Sequence, residues 1–254
     1  MDVFENIGAW REERRSFPNH ISVGFVPTMG NLHRGHASLY EASLRENQCT
    51  IASIYVNRTQ FNVASDYDLY PRTLDADLTF LENLGVHYCL VPTEKEIYVD
   101  NYCYQLLENQ QHQQMEGLHR PQHFTGVLTV VMKLLHLANP HRAYFGEKDY
   151  QQYMLIKNMV AAFFMDIEIK SCPTIRETSG LACSSRNNRL TAEERQVADQ
   201  FAKIFIQKSY SIQQLKTQLS TLDIDIEYLE EHKGRRFIAI NIGKTRLIDN
   251  YALY

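Results

Sequence analysis

Between residues 21 and 172, short apolar, β-rich runs alternate with longer stretches of helical periodicity, and this alternation leaves few folds open. Residues 22–26, 51–56 and 87–91 read as strands, with helical patterns over 37–46 and 71–84 between them. The second of these helices closes on Gly85, the residue type favoured just past a helix C-terminus. A helix over 126–138, a strand over 143–145, a helix over 150–164 and a strand over 167–172 continue the series. Consecutive parallel strands need a crossover, usually a helix, so the pattern predicts an α/β domain: a doubly wound parallel sheet covered on both faces. Ligands of such sheets bind beyond the carboxyl ends of the strands.

After Pro173 the character changes. Thr191, with Glu194 three residues on, is a capping-box helix start, and helical pattern runs to about residue 222 with a break near 209–211. Residues 224–229, 236–242 and 246–248 then alternate or run apolar, with turns at Lys233-Gly234 and Gly243. The expected organisation is a main domain over 1–174 and a small α+β domain over 175–254.

The first strand runs into Pro27-Thr28-Met29-Gly30-Asn31-Leu32-His33-Arg34-Gly35-His36, and a helical pattern carried by Ala37, Leu39, Tyr40 and Leu44 follows. A strand, a glycine-bearing turn and a helix start present free backbone N–H groups at the positive end of a helix dipole, which suits phosphate. His33 and His36 add donors that can follow negative charge developing on a phosphoryl oxygen. Imidazole is also the commonest metal ligand. Zinc, however, needs three or four ligands, and neither H-E-x-x-H nor a cysteine pair stands nearby. The stretch reads as a nucleoside triphosphate site.

Three further polar stretches sit where a ligand face requires them. Asn57, Arg58, Thr59 and Gln60 follow the second strand, and amide side chains offer both donors and acceptors to a hydroxy acid. Gly146, Glu147, Lys148 and Asp149 stand between a strand and a helix carrying Gln151 and Gln152, and lysine there would neutralise phosphate. Ser184, Ser185 and Arg186 can clamp a polyphosphate. In residues 116–126, Arg120 could grip a carboxylate or phosphate. His119 and His123 are four apart as a metal pair would be, but Pro121 between them opposes a regular helix.

Composition narrows the setting. Apolar residues make up 44% and charged residues 22%, ordinary for a soluble globular enzyme, and the net charge of -4 offers no general attraction to nucleic acid or anionic lipid. No apolar run reaches the length of a membrane span, and the first fifteen residues are too polar for a secretory leader. Five widely spaced cysteines without C-x-x-C fit a reducing compartment. A cytoplasmic protein is expected.

Together the motifs PTMGNLHRGHASL, VNRTQF, YPRTLDAD, MEGLHRPQHFTGVLTVVMKLL, AYFGEKDYQQ, CSSRNNRL and TRLIDN resemble the pantoate–β-alanine ligase (pantothenate synthetase) family over nearly the whole chain. The resemblance implies a Rossmann-type N-terminal domain, a smaller C-terminal lid that closes over the site, and a homodimer. It also implies joining of pantoate to β-alanine with ATP and Mg2+ through a pantoyl adenylate. Met29, Gly30, Asn31, Leu32, His33, Arg34, Gly35 and His36 would hold ATP, with His36 the proton donor. Gly146, Glu147, Lys148 and Asp149 would embrace the nucleotide, Ile175 would touch adenine, and Cys183, Ser184, Ser185 and Arg186 would close over the triphosphate. His33, His36, Lys148 and Arg186 would be the catalytic set. Asn57, Gln60, Gln152, Tyr70, Arg120 and His123 would meet pantoate or β-alanine, and Asp77 would contact magnesium.

The chain departs from the family pattern at four positions. Arg34 stands for an acidic residue, Arg58 for proline, Gln122 for glycine and Ser179 for aspartate, and the C-terminal domain is short. Gln122 adds a side chain beside His123 and removes the backbone freedom that a positive φ there would need.

Overall fold

The computed structural model describes the backbone of residues 1–254 and the side chains of all but Ala64 and Ser65. Two compact units divide the chain. The first comprises Met1–Leu32, His36–Phe145 and Gln151–Cys172; the second comprises His33–Gly35, Gly146–Tyr150 and Pro173–Tyr254.

The chain builds nine strands among the described residues: β1 (Asp2–Phe4), β2 (Val23–Thr28), β3 (Cys49–Ile54), β4 (Tyr88–Leu90), β5 (Arg142–Gly146), β6 (Glu168–Cys172), β7 (Asp225–His232), β8 (Arg235–Ile242) and β9 (Thr245–Ala252). The helices are α1 (Ile7–Ser16), α2 (Arg34–Glu46), α3 (Ala64–Asp68), α4 (Leu74–Leu84), α5 (Glu94–Ile97), α6 (Glu116–His119), α7 (His123–Ala138), α8 (Tyr150–Ala162), α9 (Ala192–Phe205) and α10 (Ile212–Leu219).

In the first unit six strands form one sheet in the order β1-β4-β3-β2-β5-β6. β2 pairs in parallel with β3 from Val23 opposite Cys49 to Thr28 opposite Ile54, and with β5 through Gly24 and Phe25. Every residue of β3 is buried, as a strand covered on both faces requires. Val26, Ala52 and Ile54 pack with Tyr40, Leu81 and Cys89 in one continuous core. The doubly wound parallel sheet expected from the alternation is present, of the Rossmann type that the resemblance implied. The sheet order reverses at β2, so the segments leaving β2, β3 and β5 are those the ligand rule favours.

Besides the short helices α3, α5 and α6, two elements of the first unit have no counterpart among the expected helices and strands. β1 is a three-residue edge strand, too short for a period to register, and it pairs with β4. α1 carries one fully buried side chain, Trp10, whose indole Nε1 donates to the Leu137 carbonyl at 2.8 Å. A single aromatic on a charged helix leaves almost no amphipathic signature.

In the second unit β7, β8 and β9 form an antiparallel sheet. Phe201, Phe205, Leu215 and Leu219 of α9 and α10 share a core with Ile238, Ile240 and Leu247 of the sheet. Both helices begin with capping boxes, Thr191 with Glu194 and Ser211 with Gln214. Ser211 makes the break expected near 209–211.

Candidate active site

The turn after β2 bends through two consecutive left-handed residues, Gly30 at φ 79° and Asn31 at φ 52°. A side chain at position 30 would put its Cβ 2.8 Å from the Asp77 carboxylate. That carboxylate explains the turn. Its Oδ2 accepts from the Asn31 backbone N–H at 2.9 Å and from the Thr73 hydroxyl at 3.0 Å, and its Oδ1 accepts from the Leu32 N–H at 2.8 Å. Asp77 is only 3% exposed. Two of the backbone N–H groups expected to await phosphate are therefore occupied by an internal anion. Asp77, expected at magnesium, spends both oxygens on N–H and O–H donors. Three donors occupy three of the roughly four lone-pair sites of this carboxylate, which leaves it poorly placed to hold a cation. Among the described residues no group of three or more His, Cys, Asp or Glu side chains could hold a metal ion.

The segment after β3 forms a 3-10 turn over Arg58–Gln60. Asn57, expected at substrate, instead faces the protein interior and is 1% exposed. Its Nδ2 donates to Gln60 Oε1 and to the Gly126 carbonyl, both at 3.1 Å; its Oδ1 accepts from the Thr59 hydroxyl at 3.0 Å and the Tyr98 hydroxyl at 2.8 Å. All four of its amide bonds are made within the protein, so Asn57 orients Gln60. Gln60 Nε2 lies 3.0 Å from Met29 Sδ, which brings the two motifs together.

His123 and Arg120 act on the same turn from the other side. His123 Nδ1 donates to the Gln60 carbonyl at 2.8 Å, and its Nε2 is 3.0 Å from Arg120 Nη1. Because the guanidinium can only donate, this pattern fixes a neutral imidazole with its proton on Nδ1. Arg120 also lies 3.6 Å from the buried Glu116 carboxylate. Both ring nitrogens are engaged, and His119 ends α6 while His123 begins α7, so the pair makes no metal site. Gln122, the capping residue just before α7, sits at φ 70°, the positive value its glycine counterpart would accept without strain. Tyr70 meets Phe61 edge-on, with ring centroids 5.6 Å apart.

Sequence reasoning missed Gln151. It is buried, accepts from the Glu116 N–H at 3.1 Å, and donates to the Gln111 and Gln114 carbonyls at 2.8 and 2.9 Å. The signal was present: successive helical residues point about 100° apart, so Gln151 and half-buried Gln152 could not serve one site.

In the second unit His33 Nδ1 accepts from the Gly35 N–H at 3.0 Å, which places the ring proton on Nε2. Burial, and next the Lys148 ammonium, lower the His33 pKa, with Asp149 opposing weakly. Both the geometry and the charges hold this imidazole neutral. Lys148 pairs with Asp149 at 3.8 Å. Lys148, Ser184, Arg186, Asn187, Arg246 and Asp249 line one small cavity, so three cations, one carboxylate and a hydroxyl border it. The serine loop is braced locally: Ser184 Oγ accepts from the Arg186 N–H at 3.2 Å, and Asn187 Nδ2 donates to Glu177 at 2.7 Å and to the Ala182 carbonyl at 3.0 Å. The Cys183 N–H donates to the Ile175 carbonyl at 2.9 Å, tying the residue expected at adenine to the one expected over the phosphates.

Comparison with known proteins gives these motifs a family. The pantoate-beta-alanine ligase family model matches residues 2–252. A pantothenate synthetase of Legionella pneumophila (strain Lens) is 59% identical over 253 residues, covering 100% of both chains. One from Coxiella burnetii (strain Dugway 5J108-111) is 48% identical over 248 residues, 98% of this chain and 95% of its own. The crystal structure of pantoate-beta-alanine ligase from Francisella tularensis, complexed with beta-gamma ATP and beta-alanine, superposes with a TM-score of 0.95 at 40% identity, covering 100% of this chain and 98% of its own. Pantothenate synthetase from Thermus thermophilus does so with a TM-score of 0.92 at 34% identity and full coverage of both chains. With the model spanning almost every residue, and the turn, the amide pair and the serine loop all formed, the chain belongs to the pantoate-beta-alanine ligase family.

Proposed function

We propose that this protein condenses pantoate with β-alanine at the expense of ATP, through a pantoyl adenylate, releasing AMP and pyrophosphate. The observation that carries the reading is that Lys148, Arg186 and Arg246 outnumber the single Asp249 carboxylate around one small cavity that Ser184 also borders. The relative from Francisella tularensis, complexed with beta-gamma ATP and beta-alanine, supports the choice of co-substrates.

A carboxylate is a poor acylating agent because oxide leaves badly. Attack of the pantoate carboxylate oxygen on the α-phosphorus forms the P–O bond of the acyl adenylate as the bond to pyrophosphate breaks. Negative charge then grows on the phosphoryl oxygens and on the departing pyrophosphate. Lys148 and Arg186 stabilise it as fixed cations, and His33 does so by donating from Nε2. His36, in the first turn of α2, supplies a second imidazole donor. The β-alanine amine then attacks the acyl carbon, AMP leaves, and the amine loses a proton. No covalent intermediate on the protein is required. Gln60 and Gln152 bind pantoate, and Tyr70 borders it. Arg120 and His123 serve by holding the Gln60 carbonyl. Met29, Gly30, Asn31, Leu32, Arg34, Gly35 and the residues 146–149 form the nucleotide's surroundings, with Ile175 at adenine. Cys183 and Ser185 belong to the loop over the triphosphate.

Magnesium belongs to this reading as a counter-ion carried on the triphosphate, not as a ligand of Asp77. We further propose a cytoplasmic homodimer; sedimentation at two micromolar-range concentrations tests the dimer. Among the described residues no helix is long and apolar enough to cross a membrane.

The deciding experiment measures AMP and pyrophosphate release from ATP with pantoate, with and without β-alanine. Turnover is expected only with all three substrates, with pantoyl adenylate trapped when the amine is omitted. Lys148→Ala should lose about 100-fold or more in kcat, the scale of one missing transition-state charge partner, with its melting curve unchanged. ATP binding without turnover by the unaltered protein would sink the reading and leave a nucleotide-binding protein.

A further inference from the structure

The TRLIDN motif near the C-terminus has no role in the reaction as described, yet its last two residues are among the most constrained in the second unit. Asp249 and Asn250 are 3% and 4% exposed. Asn250 Nδ2 donates to two successive carbonyls, those of Glu147 at 2.8 Å and Lys148 at 2.9 Å. Its Oδ1 accepts from Arg235 Nη1, and Arg235 Nη2 donates to the Glu147 carboxylate at 3.1 Å. The Arg235 guanidinium also lies 3.9 Å over the Tyr150 ring. Side chains from β8 and β9 thus grip the residues 147–150 through main chain, carboxylate and ring.

Asp249 secures the other end. Its two oxygens accept from Arg176 Nη1 at 2.6 Å and Nη2 at 2.9 Å, and Oδ1 also takes the Asn250 N–H at 2.7 Å. Arg176 returns a bond to the Asn250 carbonyl at 3.2 Å and another to the Gly180 carbonyl at 3.0 Å. The dipeptide therefore touches both the Lys148 main chain and Arg176, the neighbour of Ile175.

Lysine has four rotatable bonds and only a point charge at its tip, so the direction of its ammonium depends on how firmly its main chain is held. A turn of three 3-10 residues, Glu147–Asp149, supplies little rigidity of its own. We infer that Asn250 is a positioning residue for the adenylation step: its carboxamide, anchored by Asp249 and Arg235, fixes the main chain of Glu147 and Lys148 and so aims the Lys148 ammonium. This inference rests on the proposed phosphate role of Lys148. One side chain, Asn250, bonds both the Glu147 and the Lys148 carbonyl, and only an amide can donate to two carbonyls while accepting from a guanidinium.

The test uses the full chain and the AMP-release assay with four variants: Asn250→Ala, Asn250→Asp, Lys148→Ala, and Lys148→Ala combined with Asn250→Asp. Aspartate keeps the shape and the bond to Arg235 but cannot donate to the carbonyls. It therefore separates loss of the donor from loss of packing, and it remains informative where alanine fails to fold. Both Asn250 variants are expected to lower kcat about 10- to 100-fold, the scale of a small misplacement of a catalytic group, while the pantoate KM holds. The double variant should be no slower than Lys148→Ala alone, because a residue acting through Lys148 has nothing left to aim. Wild-type kcat in a folded Asn250→Asp, or losses that multiply in the double variant, would overturn the inference. Full activity in Lys148→Ala would instead remove the lysine's own role, and with it the premise.

Discussion

At the scale of single residues, acceptors for backbone N–H groups decide more than the charges read from the sequence. Asp77 is the clearest instance. Its carboxylate does within the fold what a phosphate was expected to do, accepting from Asn31 and Leu32 and so holding two left-handed residues in place. Leaving such donors without an acceptor in a buried setting costs about 1–3 kcal/mol each. Asp77→Asn keeps the volume but turns an NH2 toward donors that need an oxygen. We expect it to lower stability in urea by about 2 kcal/mol and to raise the ATP KM, since the turn it braces leads into His33. Equilibrium unfolding and steady-state kinetics on the same preparation check this; wild-type stability would mean the turn holds itself.

At the scale of elements, α7 and the 3-10 turn over Arg58–Gln60 approach so closely that position 126 admits only glycine. A Cβ there would lie 2.5 Å from the Thr59 carbonyl oxygen and 2.7 Å from the Gln60 nitrogen, both backbone atoms that cannot rotate aside. Alanine would gain about 1 kcal/mol of helix propensity, against about 1–3 kcal/mol for forcing the elements apart. Gly126→Ala should therefore destabilise on balance. It should also raise the pantoate KM with a smaller effect on ATP, because Asn57 and Gln60 move with the turn; substrate titrations of the variant decide, and an unchanged pantoate KM would uncouple the turn from the site. The helices and strands themselves were legible wherever a period repeated: β2, β3, α4 and α7 stand within three residues of their expected bounds. What was not legible is direction. Asn57 and Gln60 look alike as amides after a strand and both are buried; only the bonds to the Gly126 carbonyl and the Tyr98 hydroxyl show that Asn57 spends its whole amide within the protein. Gln151 and Gln152 differ in the same way. The positive φ of Gln122 was readable only because glycine was the expected residue there.

At the scale of the whole molecule, protonation links the two units to one observable. His33 in the second unit and His87 in the first both have pKa values below the ordinary 6.5, in each case chiefly because burial disfavours the charged ring. The hydrogen bonds agree: each Nδ1 accepts a backbone N–H, from Gly35 to His33 at 3.0 Å and from Thr50 to His87 at 3.1 Å, and protonating that nitrogen would break the bond. A histidine whose folded pKa is depressed binds fewer protons folded than unfolded as pH drops below 6.5. Its contribution to stability is thus complete above that value and is lost as pH falls toward the folded pKa. The carboxylates whose pKa values are lowered, Asp100 and Glu168, titrate below this window and leave it to the histidines. The melting temperature should accordingly hold steady from pH 8 to 7 and decline below 6.5. His87→Asn and His33→Asn should each flatten the decline. ATP should act oppositely at His33: negative phosphates beside the ring offset Lys148 and favour the imidazolium, so nucleotide binding should take up a fraction of a proton near pH 6. Calorimetric titration of ATP in two buffers of different ionisation enthalpy measures that uptake directly. Uptake in the unaltered protein that vanishes in His33→Asn would place the imidazole against the phosphates, whereas equal heats in both buffers would detach His33 from the nucleotide altogether.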